Sequence, residues 1–253
     1  MTTRQEFRQR AKKQHIPVWQ WLVAVLLVFA LAGGGYGIYH WWHLRHQTMM
    51  ARYPVTGAAI DQSAGFIDFQ ALSKTGLKFV YLKTTVGNRF VDDDFSGNYS
   101  RSSGSPLKVG VYLTYSPQSS VNSQLRYFEH QIGQDTGTLP IMIAVTDAGA
   151  NFDSPQAVKR TVNRLSVMLQ TLRQDYAQPV GVWVSTKGYH TLQKQLPNAG
   201  LTLEDASLKP RHQNDVQFIM YDADGNIEVA GTKQSMSLMV YNGSKQKFSE
   251  YDN

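Results

Sequence analysis

The sequence predicts an α/β fold: a compact, TIM-like β/α barrel preceded by one N-terminal transmembrane helix. Three observations predict it. Short apolar runs alternate with helix-period segments from residue 56 onward, at the spacing of βα units. About 200 residues follow the N-terminal apolar run, which suits a compact barrel. The run itself, Val18 to Ile38, is free of charge and matches the roughly 20 residues a helix needs to span a hydrocarbon core.

The chain accordingly reads as four parts: a basic tail over 1–17, a transmembrane helix over 18–42, a polar juxtamembrane stalk over 43–55, and the barrel over 56–253. Trp19 and Trp21 flank one end of the span, and Tyr39, Trp41 and Trp42 the other, as interfacial aromatics do. Arg4, Arg8, Arg10, Lys12 and Lys13 precede it against Glu6 alone, which predicts a single-pass protein of the cell membrane with its N-terminus cytoplasmic and its C-terminal domain extracellular. A cleaved signal peptide is the competing reading, on the small residues of Ala30-Leu31-Ala32. Gly33 and Gly37, four apart, suit close helix packing or are simply tolerated in a membrane helix.

Of the 253 residues none is cysteine, which excludes disulfides and thiolate metal sites. The formal charge of +6 is concentrated in the tail: from Gln47 onward there are 19 Lys/Arg against 18 Asp/Glu. A nucleic-acid partner is excluded on that ground, because the basic footprint lies on a short tail and not on a domain face. No cofactor is expected, and no metal: His40, His43 and His46 repeat at i, i+3, i+6, an imprecise ligand spacing beside the membrane.

Within the barrel region, Ala58–Asp61 reads as a strand ending on a carboxylate, and 67–75 as a short helix stopped by Gly76. Strands follow at 79–83 and 108–113, with a helix between them at 95–102. The segment 118–134 is amphipathic, with Leu125, Phe128 and Ile132 on one face. The strand 141–145 precedes the clearest helix, which has Ser154 as N-cap, Pro155 at its first position and a stripe of Val158, Val162, Leu165, Leu169 and Leu172. A strand at 180–184, a helix at 188–196, a strand at 216–221, a turn at Asp224-Gly225 and strands at 227–229 and 238–241 complete the pattern.

Several segments, in order, resemble one family. Gly57-Ala58-Ala59-Ile60-Asp61-Gln62-Ser63 with Gly65-Phe66-Ile67-Asp68-Phe69 is similar to the opening "G-x-D-x-S…G-x-I-D-W" of glycoside hydrolase family 25, the lysozyme-like N-acetylmuramidases. Gly76 to Gly87 resembles "G-x-x-F-V-x-I-K-A-T-E-G", and Phe90-Val91-Asp92 with Phe95 and Asn98 resembles "F-x-D-x-x-F-x-x-N". Gly110-Val111-Tyr112 is similar to "G-x-Y-H-F", the strand entered through Leu139-Pro140 to "L-P-x-x-x-D-x-E", and Met236 to Gly243 to "V-D-L-N-x-F-N-G". The likeness covers about residues 56–243.

The resemblance implies an irregular β/α barrel that cuts the β-1,4 bond between N-acetylmuramic acid and N-acetylglucosamine with acidic residues at strand ends. Carried over position by position, only Asp61 keeps its carboxylate. The "D-x-E" acids fall on Ala144 and Thr146, and the closing Asp on Ser237. The family's polar positions also fall on Val86, Leu113 and Met239. Glycoside hydrolysis usually needs two carboxyl groups about the scissile bond, and Asp61 alone does not supply both. Asp147 is the nearest substitute, yet strand alternation turns it from the face that residue 146 addresses unless the chain bulges there. Tyr112, Tyr115 and Trp183 are candidate sugar-stacking aromatics, although Trp183 in an apolar strand also reads as core.

The functional expectation is a membrane-anchored, extracellular muramidase-like domain that is catalytically inactive and binds peptidoglycan, another cell-wall glycan or a protein partner. The alternative is a divergent, active N-acetylmuramidase using Asp61 and Asp147.

Overall fold

The computed structural model describes residues 18–150, 152, 154–196, 199–208 and 215–252; the basic tail 1–17 lies outside them. The chain divides into two compact units, Met1–Thr48 and Met49–Asn253. The first is dominated by helix α1, Val18–Met50, which at 33 residues runs on through much of the segment expected as a stalk. Nothing between residues 43 and 50 breaks a helix: there is no Gly or Pro until Pro54. Among the described residues, no helix is long and apolar enough to cross a membrane. The side chains described within α1 form no run longer than residues 25–37, and His43 and His46 are not among them.

The second unit is a β/α barrel. Its elements are β1 (Thr56–Ile60), α2 (Phe69–Lys74), β2 (Phe79–Val86), β3 (Phe90–Val91), α3 (Phe95–Ser103), β4 (Lys108–Thr114), α4 (Val121–Ile132), β5 (Ile141–Val145), α5 (Pro155–Tyr176) and β6 (Val180–Ser185). There follow α6 (Thr186–Leu192), β7 (Gly200–Glu204), β8 (Val216–Asp222), β9 (Asn226–Val229), β10 (Thr232–Ser235), β11 (Ser237–Tyr241) and α7 (Lys245–Ser249). The strands run in the order β1-β11-β8-β7-β6-β5-β4-β2, and a β1–β2 pairing closes the ring. All neighbours are parallel except β11, which is antiparallel to both β1 and β8. That single reversal makes the barrel irregular.

Strand alternation separates two apolar layers. Ile60, Val80, Leu82, Val111, Leu113, Ile143, Val182 and Leu203 pack outward against helix residues such as Phe69, Phe128 and Leu165. Ala59, Phe79, Tyr81, Met142, Trp183, Phe218, Met239 and Tyr241 fill the interior. Phe218 is central to the filling, with ring centroids 5.2 Å from Phe79, 5.4 Å from Tyr81 and 5.3 Å from Tyr241. Phe248 of α7 closes the N-terminal end of the barrel against Tyr241 at 5.2 Å.

Caps fix where the helices start. The Asp68 carboxylate accepts from Ala71 N at 2.9 Å, so α2 begins at Phe69 and not at residue 67. Ser120 and Ser154 cap α4 and α5 in the same way. Ser185 caps α6, which places that helix two residues earlier than the apolar pattern predicts and ends it at Leu192. Sequence reasoning did not find the strands β3, β7 and β10 or the helix α7, and of these strands only β7 belongs to the closed ring.

Candidate active site

With the interior packed, the open chemistry lies where the parallel strands end, at the C-terminal mouth. Asp61 directly follows β1. Its Oδ1 accepts from Ser63 N at 3.0 Å and Ser63 Oγ at 2.5 Å, capping the tight turn Gln62–Ala64, while Oδ2 lies 3.3 Å from Lys83 Nζ. Partial burial works to raise the Asp61 pKa, but the Ser63 bonds and the Lys83 charge outweigh it and hold the carboxyl below its ordinary value. Asp61 is therefore ionised across the physiological range and is no proton donor.

Asp92 supports this corner. It is buried, its Oδ2 accepting from Gln62 N at 2.8 Å and its Oδ1 from Asp94 N at 3.1 Å. Although it opens a run of three acids, Asp92 to Asp94, Asp92 is not a solvated loop residue. Burial, with the nearby Asp61 charge, pushes its pKa up despite the two backbone bonds. Tyr112 is half-buried beside these groups, its ring 5.1 Å from that of Trp183, and burial followed by the Asp61 and Asp92 charges pushes its phenol well above the ordinary range.

The remaining family positions divide. Ala144, paired with Trp183 in register, edges the interior and carries nothing ionisable. Thr146 is exposed just past β5 and accepts from Gly149 N at 3.0 Å, so it caps a turn. Ser237 starts β11 opposite Ala59 and donates to Ala223 O at 2.9 Å. Val86 ends β2, pairing with Phe90. Met239 is fully buried in the interior. Leu113 is fully buried on the outward face of β4, so it is no mouth position at all. Tyr115 is likewise buried in the outer layer, under the Arg164 guanidinium, and offers no sugar platform. Trp183 is core by burial.

On the opposite side of the mouth lies a second group of acids. Strand β5 stops at Val145 and a turn begins at residue 147, so alternation no longer governs Asp147. Its Oδ1 accepts from Ser185 Oγ at 2.6 Å. Ser185 pairs in register with Glu204, the last residue of β7. Desolvation first, and the Asp147 charge second, push the Glu204 pKa up, while the Trp183 indole works to lower it. Glu204 lay outside the sequence reading because β7 did. Its signal was the alternation Leu201-Thr202-Leu203-Glu204 behind a Gly; the strand expected at 227–229 had filled the eighth place, but it pairs with β10 outside the ring. Among the described residues no cluster of acids and histidines could hold a metal ion.

An eight-stranded β/α barrel with a packed interior and carboxylates gathered where its parallel strands end belongs to the broad class of barrel enzymes and their relatives. The family model for glycosyl hydrolases family 25 matches residues 60–203, more than half of the chain, and the protein belongs to that family. It is 26% identical over 146 residues to the uncharacterized protein YegX of Escherichia coli K12, covering 56% of this chain and 52% of that one. It is 32% identical over 90 residues to lysozyme M1 of Streptomyces globisporus, covering 34% of this chain and 31% of the relative. The chain thus spans about half the length, or less, of these relatives. A family 25 glycosyl hydrolase from Bacillus anthracis has the same fold, with a TM-score of 0.69 at 24% identity over 79% of this chain and 94% of that one.

Proposed function

We propose that this family 25 domain binds the glycan strands of peptidoglycan in the mouth of its barrel without hydrolysing them by the family's chemistry. The observation that carries the reading is that Asp61 is tied to Lys83 and kept ionised, and the motif resemblance, which sets Ala144 and Thr146 against the family's other acids, supports it. A glycosidic oxygen there meets no proton donor. Support for binding comes from Phe66, in the loop after β1 with the Arg101 guanidinium 4.8 Å from its ring centroid, and from Phe90, which opens the short strand β3; both are largely exposed at the same end and suit stacking on sugar rings. Retention of the full-length protein on insoluble peptidoglycan, with no clearing in a cell-wall zymogram, is the expected result. Clearing abolished by Asp61→Asn overturns it.

The chain's N-terminal part supports attachment at the outer face of the cell membrane. The uncharged run Val18 to Ile38 lies within α1, and the basic cluster precedes it. Protease protection of tagged termini tests this; a C-terminal tag digested only after cell lysis contradicts it.

A second reading has one observation in its favour. The raised pKa of Glu204 beside Asp147 is the signature of a carboxyl group that can hold a proton, so a divergent N-acetylmuramidase with a displaced acid is the alternative. Zymogram clearing lost on Glu204→Gln supports that reading.

A further inference from the structure

The N-terminal end of the barrel, opposite the mouth, carries a pocket that the glycan reading does not use. Its volume is about 270 Å³, and Pro54, Pro106 and Phe248 form part of its wall. Lys78, Lys108 and Lys245 line it as well, and none of the described lining residues is acidic. From Gln47 onward the chain holds 19 Lys/Arg against 18 Asp/Glu, so this concentration of positive charge is local and not a property of the whole barrel.

The strands set two of these lysines side by side. Lys78 directly precedes β2 and Lys108 opens its parallel neighbour β4, with Lys108 N donating to Lys78 O at 3.0 Å. Lys108 is half-buried, its Nζ shielded from solvent and 5.5 Å from the Phe248 ring centroid, while Lys78 and Lys245 are exposed. Like charges gathered in this way repel one another, and an anion seated among them offsets the repulsion through charge-assisted hydrogen bonds. The walls add a second requirement. The side chains of two prolines and a phenylalanine offer nothing to a small hydrated anion, but they suit one that carries an apolar part.

We infer that this pocket binds the headgroup of an anionic phospholipid, with the phosphate among Lys78, Lys108 and Lys245 and the glycerol and first acyl carbons against Pro54, Pro106 and Phe248. Chain connectivity favours that source. Pro54, on the pocket wall, follows closely on the uncharged run that ends at Ile38, so the pocket is within chain reach of a bilayer that holds the run. Basic residues near an anionic membrane surface each add to its attraction. A barrel held by its N-terminal end on the bilayer turns its mouth outward, toward the wall. The inference goes beyond the glycan reading and rests on the membrane attachment proposed above.

The test is calorimetric titration of the full-length protein, in neutral maltoside micelles at low salt, with dihexanoyl phosphatidylglycerol, dihexanoyl phosphatidylcholine and inorganic phosphate. The anionic lipid is expected to bind about tenfold more tightly than the zwitterionic one, and inorganic phosphate more weakly than the anionic lipid. In the Lys78→Gln/Lys245→Gln variant, whose two sites are exposed, the preference falls toward one while Tm is unchanged. Lys12→Gln/Lys13→Gln, in the basic tail, leaves the preference in place. Equal affinities for the two lipids, a preference unchanged in the pocket variant, or one lost in the tail variant overturns the inference. Inorganic phosphate binding as tightly as the anionic lipid overturns the lipid assignment and leaves an anion site only. Micelles read the pocket without a bilayer, so failure here leaves the membrane attachment standing, and failure of the protease-protection test is read separately from this titration.

Discussion

Lys83 Nζ lies 3.3 Å from Asp61 Oδ2, so the carboxylate at the end of β1 is held by a lysine projecting from the neighbouring strand β2. The pair anchors one wall of the mouth and fixes the charge state of Asp61. It predicts that Lys83→Met raises the Asp61 pKa, read from the carboxyl carbon shift in an NMR titration. A folded-state pKa below the ordinary value gives stability that is present above the unfolded-state pKa and lost as pH falls through the lowered one. The variant has less of that stability at neutral pH, so its acid-unfolding midpoint moves up. An unchanged titration removes Lys83 as the cause and leaves the Ser63 bonds.

Glu204 predicts the opposite sign. Its pKa is raised above 4.5 by desolvation and by Asp147, so its ionised form is disfavoured by folding. The penalty is full above the folded-state pKa and disappears as pH falls below the unfolded value. Glu204→Gln is expected to raise Tm at neutral pH and to leave it unchanged near pH 4. Because the residue is exposed, the gain stays below about 1 kcal/mol, under about 4 °C in a domain of this size. Destabilisation at neutral pH contradicts the assignment.

The contrast between Asp61 and Glu204 also marks what the sequence can and cannot disclose. Asp61 follows an apolar strand whose glycines and neighbouring motifs give register, so its place at the mouth was legible, as were Ala144, Thr146 and Ser237. Leu113 was misplaced because a motif aligns residues without saying which face of a strand each takes; its neighbour Tyr112 points inward and it does not. Asp147 was argued outward from strand periodicity, but the strand ends two residues earlier and a turn brings its carboxylate to Ser185. Glu204 was invisible for a different reason. β7 is a five-residue strand of alternating apolar and polar residues between loops, and only the closure of the ring between β6 and β8 requires it. Local pattern finds the long buried strands; the short one is dictated by its partners.

Gly110 on β4 predicts a packing limit inside the barrel. A Cβ there meets Tyr81 Cε1 at 2.6 Å and Leu139 Cβ at 2.8 Å. The Tyr81 ring is fully buried and wedged edge-on against Phe79 and Phe218, so it has no room to give. Gly110→Ala is expected to cost about 1–3 kcal/mol, a fall in Tm of roughly 3–10 °C by calorimetry. Gly104→Ala is the matched control: its Cβ meets only Arg101 O, at 3.8 Å, and Tm is expected to stay within about 2 °C.

Placing acids at the two positions that the motif resemblance sets against the family's "D-x-E" tests the proposed glycan-binding mouth for a cleavable pose. In Ala144→Asp/Thr146→Glu, two carboxyl groups return to the end of β5, facing an Asp61 that is already ionised. Ala144 is only partly buried and Thr146 is exposed, so the added acids meet solvent and the fold tolerates them at a cost of about 1–3 kcal/mol for the inner one. Thr146 caps the following turn through Gly149 N, a bond that a glutamate oxygen can replace. Clearing of a cell-wall zymogram by the double variant, and none by the parent chain, is the expected outcome. Clearing by the parent at the same rate places the chemistry elsewhere and returns attention to Glu204. No clearing by a variant that still binds the wall means that Lys83, by neutralising Asp61, has closed the route from that side. The triple variant adding Lys83→Met then regains what the double variant lacks.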